Sequence, residues 1–299
     1  METSSYLLEL EMQNAEKTIR LRIGDRHYAM ATDDLYLTQS RTDIKHQTKK
    51  LLKLLIGREG FEIPMTRMFS TLICPDFQIL DVGANIGCTS LLFSDLGQQV
   101  VAFEPLSRTF ELLQKNISLA KKNNIQTLQL ALGDENKEAE IYFSDTNRST
   151  AFVLDKTQRD DSKTTVIKIK RLDDLFPEIG IDRLDFMKID VEGYELRVLK
   201  GAKNTINQYR PIVQMEFNSW TLDVQQRVCL PDFIDFILAM FPLAYVFHRR
   251  SFIDLRTTKG RYESMAQNLL HRKYMELVCA FSEAQLKTFK QKYRDATPH

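Results

Sequence analysis

Residues 77–87 read Phe77-Gln-Ile-Leu-Asp-Val-Gly-Ala-Asn-Ile-Gly87, and this stretch decides the fold. Ile79, Leu80 and Val82 form a short apolar run of the kind that makes a buried parallel strand. The run breaks into Gly83, Asn85 and Gly87, and Cys88-Thr-Ser-Leu-Leu-Phe93 then carries a helix. Glycines at such a turn let the backbone bend tightly and approach a ligand that a Cβ would exclude. A second apolar strand, Gln99-Val-Val-Ala-Phe103, runs directly into Glu104, 23 positions after Asp81. That spacing is one strand–helix–strand unit, and an acid at its end accepts two hydrogen bonds from a ribose diol. The pattern predicts a nucleoside cofactor.

The loop narrows the choice. A dinucleotide site has three glycines in G-x-G-x-x-G, so that a pyrophosphate sits on the helix N-terminus. Here Gly83-Ala-Asn-Ile-Gly87 lacks the middle glycine, and Asp81 stands two residues before it. An acid at the strand end suits a cationic ligand better than a pyrophosphate. S-adenosylmethionine carries a sulfonium and an ammonium and no phosphate. The competing readings are an NAD(P)-dependent oxidoreductase, a Rossmann-like unit with no cofactor, and a catalytically lapsed S-adenosylmethionine-binding module that partners another enzyme.

The 299 residues, 43% of them hydrophobic, suffice for one large domain or one domain with an appendage. With 41 basic and 40 acidic residues there is no electrostatic footprint for nucleic acid. Cys74, Cys88, Cys229 and Cys279 have no C-x-x-C or zinc spacing, which suits a reducing, cytoplasmic compartment. Met1 is followed by Glu, Thr and Ser, not by the basic-then-apolar run of a signal peptide. The longest apolar zone, residues 233–247, contains Asp235 and Pro242 and is too short to span a bilayer. Nothing in the composition speaks to oligomeric state.

Residues 1–58 are expected as an N-terminal extension and residues 59–299 as the cofactor domain. In the extension, residues 18–23 and 27–30 flank Gly24-Asp25 as a hairpin, and residues 41–56 form a helix with Ile44, Leu51, Leu52 and Leu55 on one side. Its basic face (Lys45, Lys49, Lys50, Lys53) reads as solvated, the alternative being a membrane surface. Glu62 lies where a helix opens toward Leu72. From Ile79 strands and helices alternate. A helix spans residues 109–122, and residues 127–132 make a third strand ending at Gly133-Asp134, where Asp134 is within reach of an adenine amino group. Residues 138–143 and 165–170 alternate in polarity and predict an inserted hairpin whose polar loop, 144–163, lies near the crevice as a lid or substrate reader.

The second informative block is Asp185-Phe-Met-Lys-Ile-Asp-Val-Glu-Gly-Tyr-Glu195. Period two puts Lys188 and Asp190 on one face of a buried strand, with Glu192 close by, and a lysine there is costly unless it meets an acid. The next strand, Pro211-Ile-Val-Gln-Met-Glu-Phe217, brings Glu216 to the same edge, where ligands bind in such folds. Asp190 is the first choice for general base and Glu216 the second, with Glu192 orienting either; His248 is a weaker candidate. Alternatively Asp190, Glu192 and Glu216 hold a divalent cation, or the cluster is an ion-paired core around Lys188 and Arg197. Two late strands, 244–248 and 276–281, complete a seven-stranded doubly wound sheet.

With these residues in hand, the chain resembles the FkbM family of S-adenosylmethionine-dependent methyltransferases, over about residues 60–217 and more loosely to 281. The resemblance is carried by Leu80-Asp-Val-Gly-Ala-Asn-Ile-Gly87, Phe103-Glu-Pro105, Ala131-Leu-Gly-Asp134 and Lys188-Ile-Asp-Val-Glu-Gly-Tyr-Glu195, and extended by Leu199-Lys-Gly-Ala202 and the strand from Arg210-Pro to Glu216. It implies an α/β, Rossmann-like class I methyltransferase fold and O-methylation of a sugar, a glycan precursor or another secondary alcohol. The cofactor-binding residues implied are Glu62, Asp81, Gly83, Asn85, Gly87, Glu104, Pro105 and Asp134. Lys188, Asp190, Glu192 and Glu216 are the catalytic set.

Overall fold

The computed structural model describes residues 17–32, 56–57, 60–61, 63–143, 152–153 and 163–297. In chain order the strands are β1 Lys17–Ile23, β2 Arg26–Thr32, β3 Ile56–Gly57, β4 Gly60–Phe61, β5 Gln78–Val82, β6 Gln99–Phe103, β7 Ile125–Leu128, β8 Ala131–Leu132, β9 Lys137–Phe143, β10 Phe152–Val153, β11 Lys163–Lys170, β12 Phe186–Ile189, β13 Ile212–Glu216, β14 Leu243–His248, β15 Ser251–Asp254, β16 Glu276–Ala280 and β17 Arg294–Asp295. The helices are α1 Ile63–Leu72, α2 Cys88–Leu96, α3 Ser107–Leu119, α4 Leu172–Leu175, α5 Glu195–Gly201, α6 Lys203–Tyr209, α7 Leu230–Met240, α8 Thr258–His271 and α9 Lys287–Lys292.

The main sheet has the order β17-β15-β14-β16-β13-β12-β5-β6-β7. Strands β5, β6, β7, β12 and β13 are parallel, whereas β16 runs antiparallel between β13 and β14. The seven strands expected are present, and two more, β15 and β17, extend the β14 edge to nine. The strand expected over residues 127–132 is two: β7 pairs with β6, the chain turns through a Leu130 N–H to Leu128 C=O bond of 3.0 Å, and β8 leaves the main sheet to pair with β11. The inserted hairpin is β9 against β11, and the short β10 pairs with β9. The helix expected over 41–56 and most of the loop 144–163 lie outside the described residues.

Successive residues of the central strands feed opposite layers, as a sheet covered on both faces requires. Leu80, Val82, Met187, Ile189, Val213 and Met215 join one core cluster, while Ile79, Phe186 and Ile212 join the other. Asp81 and Lys188 therefore share the second layer, beneath α2. There Phe69, Phe93 and Phe186 pack edge to face with centroids 4.9–5.9 Å apart. The predicted β1–β2 hairpin forms, and its Leu21, Ile23, Tyr28 and Met30 belong to this same layer. Fully buried Asn116 clasps it, accepting from Ala31 N–H at 2.6 Å and donating to the carbonyls of Ala31 and Ile86 at 3.0 and 2.9 Å. The hairpin is thus tied to the loop that follows β5.

Candidate functional site

At the C-terminal end of β5 the chain enters left-handed backbone three times, at Gly83 (φ 79°), Asn85 (φ 51°) and Gly87 (φ 94°). A Cβ on Gly83 would lie 1.9 Å from the Asp190 carbonyl oxygen, so glycine lets the first loop touch the loop after β12. Gly83 and Ala84 N–H groups donate to the Phe103 carbonyl at 3.1 and 2.9 Å, fixing the loop against β6. Asp81, fully buried, does not line the cleft; one of its oxygens accepts from the hydroxyls of Thr89 and Ser90 at 2.8 and 2.6 Å and the other is buried without a hydrogen bond. Asp81 pins the first turn of α2 to β5.

Glu104, at the end of β6, accepts from Asn85 N–H at 3.1 Å on one oxygen and from Leu106 N–H at 2.9 Å on the other. A carboxylate has about four acceptor positions, so about two remain for a ligand's hydroxyls. Burial is the main cause that raises the Glu104 pKa to about 7, with the two backbone donors opposing.

These loops border a cleft of about 650 Å³, counted out to open solvent. One end is apolar, with Leu106, Leu130, Leu132, Ile141 and Ile167; Gly83, Asn85, Glu104 and Pro105 form the middle; Asp190, Glu192 and Tyr194 form the other end. The apolar end goes beyond the expectation from sequence: Ile141 and Ile167 come from the inserted hairpin, which supplies a wall of the cleft. Asp134 is not among the lining residues, because its carboxylate is paired with Arg197 at 3.0 Å. Gly87 likewise does not line the cleft; a Cβ there would meet Leu113 at 2.7 Å. Glu62 lies outside the described residues.

The acid end is organised around one lysine. Lys188 is 2% exposed, with its ammonium 3.1 Å from Asp190 and 3.7 Å from Asp81. The predicted pairing of Lys188 with acids is found, and it links the strand that carries the first loop to the strand that carries the second. Glu192 has left-handed backbone (φ 54°), costly for a residue with a Cβ. Burial, then the neighbouring Asp190 and Glu195 charges, raise its pKa to about 8. Glu195 holds this loop from below: buried, it accepts from Val191 and Gly193 N–H at 3.1 and 3.3 Å. Burial raises the Glu195 pKa to about 7.

Glu216 does not line the cleft. One of its oxygens accepts from the Asn218 amide at 3.1 Å and the other is buried without a hydrogen-bond partner. Burial, followed by Asp190, Glu192, Glu195 and Glu276, pushes its pKa well above the carboxylate range. Among the described residues no three His, Cys, Asp or Glu side chains are grouped to hold a metal ion. His248 lines a separate cavity on the same sheet edge.

The donor set fits a nucleoside with a cationic tail: an apolar slot for a purine, a buried carboxylate with spare acceptors for a diol, and acids for positive charge. S-adenosylmethionine has these three parts in that order.

Comparison with known proteins agrees. The family model described as "Methyltransferase FkbM domain" matches residues 81–251, more than half of the chain. "Methyltransferase 1" of Beauveria bassiana is 30% identical over 42% of this chain and 58% of its own length. "Hexuronic acid methyltransferase AglP" of Haloferax volcanii is 30% identical over 46% of this chain and 55% of its own. "2-O-methyltransferase NoeI" of Sinorhizobium fredii is 28% identical over 48% and 65% respectively. The chain thus spans about three fifths of the length of each of these three relatives.

Proposed function

Because the chain belongs to the FkbM methyltransferase family, we propose that it transfers the methyl group of S-adenosylmethionine to a hydroxyl of a sugar, a glycan precursor or another secondary alcohol. The observation that carries this reading is one cleft with the spare acceptors of Glu104 in its middle and the Lys188-held acids at its end. Relatives named for hexuronic acid methylation and 2-O-methylation support a sugar hydroxyl as acceptor. S-adenosylmethionine supplies an electrophilic methyl group when bound.

In this reading Glu104 receives the ribose hydroxyls, Gly83 and Asn85 shape the wall beside them, and Leu106, Leu130 and Ile141 sandwich the purine. The protein's largest task is alignment, because holding two reactants at about 3–3.5 Å can supply roughly 7–11 kcal/mol of a barrier. A sugar hydroxyl also needs its proton removed. Glu192 serves as the proton acceptor, in preference to Asp190: both line the cleft, but the Glu192 pKa of about 8 lies near the working pH where base catalysis is most effective. Asp190 is held 3.1 Å from Lys188 and positions the loop that carries Glu192. Glu216, its pKa raised first by burial and then by the neighbouring acids, lies behind this pair without lining the cleft.

Among the described residues no helix is long and apolar enough to cross a membrane. Cys74 and Cys229 are exposed free thiols, which supports a reducing compartment such as the cytoplasm.

The test is transfer of label from methyl-labelled S-adenosylmethionine to a panel of free sugars, uronic acids and sugar phosphates, each with and without a chelator. Label in an O-methyl product, unchanged by the chelator, is the expected result. Loss of turnover with chelator and its return with Mg²⁺ would reassign Asp190, Glu192 and Glu216 to a metal. Cofactor binding with no product from any hydroxylated acceptor would leave a module without turnover, and quenching of nicotinamide fluorescence would favour an oxidoreductase.

A further inference from the structure

The acid end of the cleft is not the end of this sheet edge. Glu216 of β13 lies directly opposite Glu276 of β16, and Glu276 lies opposite Phe247 of β14. Strands are about 4.8 Å apart, so Phe247 stands roughly 10 Å from Glu216. The next residue, His248, opens a second cavity of about 770 Å³, again counted out to open solvent. His248, Arg249, Glu263, Gln267, Lys273 and Tyr274 line it.

The charge here is opposite to that of the neighbouring strand ends. Arg249 and Lys273 have no acid partner among the described residues, and both press positive charge on His248, which with burial lowers its pKa. Glu263, the acid in the lining, is engaged by the Gln267 amide at 2.8 Å. The walls are also held in place. Tyr274 packs on His248 with centroids 5.6 Å apart, and its hydroxyl is 3.1 Å from that of Ser251. Arg249 (φ 56°), Arg272 (φ 50°) and Tyr274 (φ 55°) all adopt left-handed backbone without being glycine. Arg249 does so in the β14–β15 turn and Arg272 as the residue that caps α8. Buried Asn268 joins this wall to the first site, donating to the carbonyls of Phe217 at 2.6 Å and Tyr274 at 3.4 Å.

We propose that this cavity is the acceptor's second subsite, binding an anionic group, carboxylate or phosphate, carried about 15 Å from the hydroxyl that is methylated, the span of the three strand spacings from β12 to β14. A guanidinium with its planar fork and an ammonium as a point charge are the side chains that recognise such groups. The reversed orientation would set the anion against Asp190 and Glu192 at the acid end of the cleft, which disfavours it. The acceptor is therefore read end to end: hydroxyl at the acids, anion at Arg249 and Lys273. This rests on the methyl-transfer reading, but the site is testable without turnover.

The experiment is a histidine-resolved NMR titration of the full chain, with His248→Gln assigning the His248 imidazole signal among the five histidines. The probes are inorganic phosphate, glucuronate and glucose, and the double variant Arg249→Gln/Lys273→Gln is titrated alongside. The His248 signal should move saturably with phosphate or glucuronate, its pKa rising as the anion offsets the two cations, and should not move with glucose. The anion that saturates at lower concentration identifies the source as sugar phosphate or uronate. In the double variant half-saturation should rise about 10-fold or more, the loss expected for one charge-assisted hydrogen bond. Calorimetric affinity for S-adenosylmethionine should be unchanged. A His248 signal indifferent to both anions, or a double variant responding like the wild type, overturns the subsite. Anion response without any cofactor binding would instead defeat the methyl-transfer reading and leave the anion site standing.

Discussion

At the Gly83–Glu104 end of the cleft most polar groups are already matched, the exception being one Asp81 oxygen that is buried without a hydrogen bond 3.7 Å from Lys188. Asp81 takes two hydroxyls, Glu104 takes two backbone N–H groups, and Asn85 caps its own turn by accepting from Ile86 N–H at 2.7 Å. At the Asp190–Glu216 end they are not. Four acids, Asp190, Glu192, Glu195 and Glu216, crowd together with Lys188 3.1 Å from Asp190, Glu192 sits in left-handed backbone, and a Glu216 oxygen is buried without a hydrogen bond. A satisfied network holds a shape, whereas Glu192, raised by burial and neighbouring acids to a pKa of about 8, stands where proton transfer is useful. Binding is therefore assigned to the first half and chemistry to the second, with Lys188 and the Gly83–Asp190 contact as the seam.

The largest effect should come from breaking that seam. Gly83→Val places a side chain where 1.9 Å separates its Cβ from the Asp190 carbonyl, in backbone that branched residues avoid. Calorimetry should detect no cofactor binding, and the melting temperature should fall. Normal binding by this variant would mean that the two loops do not depend on each other.

Next in size, Glu192→Gln should lower turnover by ~10²–10⁴-fold with cofactor affinity changed only a few-fold. Asp190→Asn should behave differently, lowering the melting temperature because Lys188 loses its 3.1 Å partner. If instead Asp190→Asn gives the larger rate loss at unchanged melting temperature, the roles of the two acids are exchanged.

The pH profile sharpens the same contrast. A proton acceptor works only when ionised, so kcat/KM should rise about tenfold per pH unit and level off near the Glu192 pKa of about 8. Positive charge on a bound cofactor favours the ionised form, which moves the corresponding limb of kcat to lower pH. A profile unaltered by Glu192→Gln would remove this residue from the chemistry.

The first half was legible in sequence because its constraints are local. Glycines at 83 and 87, the acid that ends β6 and the apolar runs between them each leave a mark within a few residues. The alternation from β5 to β13, the N-terminal hairpin and the Lys188–acid pairing were readable for the same reason. What escaped notice depends on contacts distant in sequence. Residues 127–132 alternate without a breaker, so nothing announced that β7 and β8 belong to different sheets. The β14–β15 hairpin turns through Arg249-Arg250 with Arg249 at positive φ, where Asn-Gly would have been the usual signal. β15 was missed accordingly. Asp134 ends its strand as expected, but Arg197, far along the chain, draws it away from the cleft. Glu195 stood in plain view beside Glu192, yet its bonds to backbone N–H groups leave no trace in residue type.

Calorimetric titration of S-adenosylmethionine into wild-type protein and Glu104→Ala tests the central claim most directly. It is best done near pH 8, above the Glu104 pKa of about 7, so that the carboxylate is charged. Two charge-assisted hydrogen bonds at about 1.5–3 kcal/mol each allow a loss of ~10–100-fold after solvent compensates in part. The account predicts that weakening, in a variant whose circular dichroism matches the wild type. Equal affinity in the two folded proteins would contradict it, because the cofactor would then lie somewhere other than between Glu104 and the acids of Lys188.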